Sequence, residues 1–202
     1  MGAPAKPLFD VDLTRDLRAV EAMTEPETLK HYLYGTELYG ELGNNTMPKL
    51  TMGSLLMRLH RLNALRERLA PAQALALEKA VQVFEGQRKE WAFHYEGKLL
   101  HEVKSRLTAL GQFLAEAEEN PRLARENYPS AMEKRVMIEW LKDDLERLGK
   151  WDEELTGTLA NVDNRIRRAA DQVDWFIWDE RVVGAYPPEP FWFLYRLPPQ
   201  KR

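Results

Sequence analysis

The chain has 202 residues, 44% hydrophobic and 30% charged, with a formal charge of −3 and no cysteine. That length suits one large domain or two small ones with a real core, and the composition is that of a globular chain. The small net charge gives no overall pull toward nucleic acid or an anionic membrane. Without cysteine there is no disulfide, thiolate nucleophile or cysteine-held metal.

No apolar run approaches the roughly 18 residues that a membrane-spanning helix needs. The opening MGAPAKPLFDVD lacks the apolar stretch of a signal peptide. Lys6 stands where a myristoylation motif wants Ser or Thr. The expectation is a cytoplasmic protein with no membrane association, in which the sequon Asn44-Asn45-Thr46 goes unused.

Strand signals are nearly absent and helix punctuation is clear. Asp12 caps a short first helix carrying Leu13, Leu17 and Val20. Thr24 and Glu27 read as a capping box, with Pro26 in the first turn. The helix after them extends in pattern to about Leu42, on a stripe of Leu29, Tyr32, Leu33, Thr36 and Tyr39, and Gly43 stops it. Thr51 caps the next helix, with Leu50 and Leu55 as its staple, and this helix ends near Leu69.

Two long segments follow. One starts at Pro71 and keeps a helical pattern to Asn120-Pro121. The other starts at Ser130, paired with Glu133 as a capping box, and continues to about Arg181. A helix of about 50 residues is roughly 75 Å long. The link Pro121–Pro129 predicts an antiparallel hairpin over about 71–181.

In the second segment Met137, Leu141, Leu148, Leu155, Leu159, Ile166, Val173 and Ile177 fall on one line. Their spacing repeats every five turns, which predicts a nearly straight helix without supercoil. The first segment changes stripe, from Leu77, Phe84, Trp91 and Tyr95 to Leu99, Val103, Leu107, Leu110 and Leu114. The change falls around Glu96-Gly97, where a bend is expected.

FWFLY, residues 191–195, lies between prolines at 187, 188 and 190 and at 198 and 199. It belongs to a Pro- and aromatic-rich tail, 185–202, after a helical domain ending at Gly184. The favoured reading lays Phe191, Trp192, Phe193 and Tyr195 back over an aromatic patch with Trp175 and Trp178. The other reading makes these six aromatics a docking segment for a second subunit or a protein partner.

No P-loop, dinucleotide-binding, nucleophile-elbow or zinc-protease motif occurs. The residues three before the four histidines are Thr28, Met57, Trp91 and Lys98, so the Glu-x-x-His pattern of di-iron bundles is absent. Glu27/His31 and Glu90/His94 share helix faces, an ordinary surface pairing. Arg66 and Arg88 fall inside apolar arcs. Either their stems line the core while the heads reach solvent or a Glu, or they form an anion or ligand pocket with His94 and Tyr95. Arginine faces at Arg58, Arg61 and Arg68 beside His60, and at Arg165, Arg167 and Arg168, are the basis for nucleic-acid binding. Acidic stretches elsewhere offset them.

The expected architecture is all-α: an elongated bundle on a long antiparallel helical hairpin, with two or three shorter N-terminal helices and an extended aromatic tail. The expected role is a non-enzymatic scaffold or adaptor with an unidentified protein partner, self-associating as a homodimer because a two-helix seam buries little. No cofactor or metal is expected. The alternatives are a small-molecule or metal-binding bundle, with catalysis open, and nucleic-acid binding.

Overall fold

A computed structural model describes residues 7–42 and 47–200. The Asn44-Asn45-Thr46 sequon, the stop at Gly43 and the myristoylation position Lys6 lie outside the described residues.

The protein is an all-α bundle built on a long antiparallel hairpin. Its helices are α1 (Leu13–Met23), α2 (Pro26–Tyr34), α3 (Met52–Ala64), α4 (Pro71–Glu90), α5 (Ala92–Glu119), α6 (Pro121–Arg147), α7 (Glu153–Ala169) and the single turn α8 (Pro188–Phe191). Two-residue strands β1 (Asp171–Gln172) and β2 (Arg196–Leu197) pair antiparallel.

Caps set the helix starts. The Asp12 carboxylate accepts from the amides of Thr14 and Arg15 at 2.8 and 3.1 Å. Thr51 Oγ1 accepts from the Ser54 amide at 3.1 Å. The capping box expected at Thr24 is displaced by one residue. Pro26 is the first residue of α2, so the residue before it becomes the cap, and the Glu25 side chain accepts from the Thr28 amide at 2.7 Å. Thr24 instead donates its hydroxyl to the Val20 carbonyl at the end of α1, at 2.8 Å.

Helix α2 ends at Tyr34, short of the expected Leu42, because Gly35 is extended (φ −68°, ψ 166°). The chain then folds back, with Gly40 and Leu50 exchanging both backbone hydrogen bonds at 2.8 Å. Helix α3 runs through the middle, with nine of its thirteen residues buried. Its start sits hard against α5: the Gly53 amide donates to Glu102 Oε2 at 3.0 Å, and a Cβ on Gly53 would lie 2.7 Å from Glu102 Oε1.

Neither 50-residue helix exists. The first breaks at Trp91 (φ −108°, ψ 35°), not at Gly97, which lies inside α5. The second begins earlier and ends sooner. Asn120 Oδ1 accepts from the Leu123 amide at 3.3 Å and Pro121 opens α6, so the expected link 121–129 is helix, with Pro129 inside it. Gly149 closes α6 at φ +66°, a left-handed turn that favours glycine. The amides of Gly149 and Lys150 bond back to the carbonyls of Glu146 and Leu145 at 3.0 and 2.8 Å. Asp152 then caps α7.

The hairpin is therefore α5–α6. It turns at Asn120, and Tyr95 near the start of α5 meets Asp144 near the end of α6. Helix α7 packs along α5, and α3 packs on both α5 and α6. These helices cover the seam, so the argument that a second subunit must cover it loses its premise.

Helix α7 stops at Ala169, so Val173, Ile177, Trp175 and Trp178 are not helical as expected. The segment 170–200 winds back over the bundle. The amides of Val173 and Ile177 donate to the carbonyls of Tyr195 and Leu194, both at 3.0 Å. Residues 185–200 are not extended: they share the core of the helices through Phe191, Phe193, Leu194 and Leu197.

Candidate functional site

The six tail-patch aromatics divide by burial. Trp178, Phe191 and Phe193 are buried, Trp192 and Tyr195 are half-buried, and Trp175 is 41% exposed. Trp178 stacks on Phe9 with centroids 4.8 Å apart and meets Tyr186 edge-on at 5.3 Å. The Arg135 guanidinium lies 4.9 Å from the Phe193 ring centre, and that of Arg167 4.0 Å from Trp192.

Arg66, Arg88, His94 and Tyr95 do not form one pocket. Arg66 is exposed and pairs with Glu78 at 3.2 Å. Arg88 and Tyr95 converge on Asp144, which also takes Arg147 at 2.6 Å. Burial, with Asp144 beside it, pushes the Tyr95 hydroxyl well above its ordinary value. His94 belongs to a different surface, 5.1 Å from Tyr34 and 5.7 Å from the exposed Phe93. Among the described residues no group of three His, Asp or Glu side chains is placed to hold a metal ion.

The arginine faces proposed for nucleic acid are engaged by the protein itself. Arg165 pairs with Glu118, and Arg168 donates to the Asn164 carbonyl. Arg68 donates to the Arg181 carbonyl. Arg58 and Arg61 point inward from α3 to Asp16 of α1.

That last cluster is the candidate site. Arg61 Nη1 lies 2.5 Å from Asp16 Oδ2, and its Nε donates to the Tyr186 hydroxyl at 2.7 Å. The Arg61 side chain is only 3% exposed, yet its Nη2 is buried without a partner. Arg58 donates through Nη1 to the Ser54 carbonyl at 3.0 Å and to the Ser54 hydroxyl. Its Nε is 3.1 Å from Asp16 Oδ1, close enough for an ion pair, but the N–H is not aimed at that oxygen and is also unpartnered. The Tyr186 hydroxyl accepts from Arg61 and donates to no group among the described residues.

The cluster opens into a cleft of about 290 Å³ between α1, α3 and α6. Its wall holds the buried Val11, Asp16, Ala19 and Arg61, and its mouth holds the exposed Asp10, Asp12 and Arg15. Burial pulls the Arg58 guanidinium below its ordinary value, with Asp16 opposing.

A second buried arginine shows what a purely structural one looks like here. Arg135 gives Nε and Nη2 to Asp163 at 2.8 and 3.1 Å, and Nη1 to Glu139 at 2.7 Å. There two carboxylates serve one guanidinium. At Asp16 one carboxylate serves two, leaving a single positive charge in the cluster and spare buried donors on two residues that line a cleft.

Sequence reading set Arg58 and Arg61 on a nucleic-acid face, whereas both side chains turn inward to Asp16. The signal that could have separated them is position: Arg61 lies between Leu59 and Leu62 on the buried side of α3. Comparison with protein-family models, curated proteins and solved structures finds no match to this chain.

Proposed function

We propose that the protein is a ligand-binding helical domain, and that the cleft at Asp16, Arg58 and Arg61 takes a small molecule bearing an anionic group. One observation carries the reading: two guanidiniums that line one cleft each keep a buried N–H donor without a partner. A buried donor without a partner costs about 1–3 kcal/mol, more when charged. Retaining two such donors at one opening is what a binding site requires and what a core avoids. A cleft of about 290 Å³ is near the small end of ligand sites.

The adaptor reading rested on the tail aromatics, most of whose surface the chain covers itself. The small-molecule reading survives with its arginines exchanged: Arg58 and Arg61 replace Arg66 and Arg88.

Thermal melts with pools of small carboxylates, amino acids among them, and with phosphates and sulfate test this. Binding to the folded state raises the midpoint with concentration. The expected result is such a rise with at least one anion class, largely lost in a cooperatively melting Arg58→Lys variant, which keeps the charge but lacks the guanidinium fork. No rise with any pool would contradict the reading.

A further inference from the structure

The charges around the cleft narrow the ligand further, on the assumption that it binds an anionic group at all. The buried triad of Arg58, Arg61 and Asp16 carries one net positive charge. One carboxylate neutralises that charge and can accept from both guanidiniums at once, whereas a dianionic phosphate leaves an excess negative charge in a dry setting.

The mouth has the opposite need. Asp10 pairs with Arg181 at 2.9 Å, and Asp12 caps α1. Glu133 of α6 lines the same cleft, half-buried, with no hydrogen bond or ion pair among the described residues. It lies close enough to Arg58 and Tyr186 to influence the ionisation of both without touching either arginine. Arg15 at the rim is the one further cation in the lining.

We infer that the cleft takes a zwitterion, an α-amino acid or a compact molecule with the same head. Its carboxylate pairs with the guanidiniums of Arg58 and Arg61, and its ammonium group pairs with Glu133, all three residues of the lining. Two guanidiniums and a carboxylate without a partner among the described residues, in one lining, match that head and disfavour a simple anion, which would meet Glu133 unpaired. The volume accommodates an amino acid; a single water occupies only about 30 Å³ of liquid.

Calorimetric titration of the full chain tests this, with individual L-amino acids, their N-acetyl derivatives and short fatty acids as probes. N-acetylation keeps the carboxylate and removes the ammonium charge. Glu133 makes no hydrogen bond or ion pair among the described residues, so Glu133→Gln, which keeps its shape, is a variant expected to fold normally. The expected result is binding of one or a few amino acids, weakened about tenfold or more both by N-acetylation and by Glu133→Gln. If acetylated or simple carboxylates bind as well as the amino acids, or Glu133→Gln changes nothing, the anion cleft stands and the zwitterion is overturned. If no probe binds, the zwitterion falls, and the anion reading survives only if the phosphate or sulfate melts support it.

Discussion

The indole N–H of Trp178 donates to the carbonyl of Pro129 at 2.8 Å, with both groups buried. This bond ties the segment after α7 to the one helical position in α6 that proline weakens. Tyr128, next to it, donates its hydroxyl to the Phe193 carbonyl at 3.0 Å. The C-terminal aromatics are therefore structural partners of α6. Trp178→Ala removes a large side chain from a closed core and is expected to cost about 3–5 kcal/mol. A chain ending at Gly184 loses Phe191, Phe193, Leu194 and Leu197 as well, and is expected to lose its cooperative melt. An unchanged midpoint after that truncation would contradict this packing.

Acid acts through His60. Its ring lies flat on Trp140, with centroids 3.8 Å apart and planes 7° from parallel. Burial holds the imidazole down to about 4 from an ordinary 6.5; Asp144 opposes this, and Arg147 and Arg88 add to it. Between those values the unfolded chain binds a proton that the folded chain refuses, so acid favours unfolding. This contribution is intact above 6.5 and is lost as pH falls toward about 4, at most about 3 kcal/mol in all. Denaturant midpoints across that range check it. His60→Phe keeps the stack and is expected to flatten this part of the profile.

Asp144 is a buried carboxylate that gathers Tyr95, Arg88 and Arg147. Asp144→Asn keeps the shape and removes the charge. The expected loss is about 3 kcal/mol, since Arg147 loses its counter-charge beside His60 and Arg88 keeps only Glu85. Tyr95→Phe removes only one donor and is expected to cost about 1 kcal/mol. Chemical denaturation of the two variants in parallel tests the order of these effects.

Gly149 holds φ at +66° in the turn between α6 and α7, with open space where a Cβ would go. Gly149→Ala therefore meets no clash and pays only for the backbone, about 1 kcal/mol. A neutral result would show that the turn adapts without the left-handed residue.

Local chemistry in the sequence predicts several helix starts and misses the interruptions. Asp12, Thr51 and Pro71 act where side-chain oxygens and proline rings act in any chain, whereas Asn120-Pro121, read as a stop, also opens α6. The break at Gly149 is hidden because the apolar repeat continues across it: Leu148 lies on the stripe yet is 43% exposed. Pro129 looked like a boundary because a proline inside a helix is costly, and the contact made to its carbonyl comes from Trp178, 49 residues away. The site was harder still to read. Arg61 meets Asp16 across 45 residues and Tyr186 across 125. Arg66 and Arg88 occupied apolar arcs on a helical wheel, but Arg66 lies in the turn after α3 ends at Ala64, where the wheel no longer applies.

Arginine side-chain N–H resonances, followed during titration with a carboxylate ligand found in the melts, test the cleft most directly. The account predicts saturable shifts at Arg58 and Arg61, while Arg135, whose donors are already filled, stays still. Shifts absent from Arg58 and Arg61, or equally large at Arg135, would contradict it.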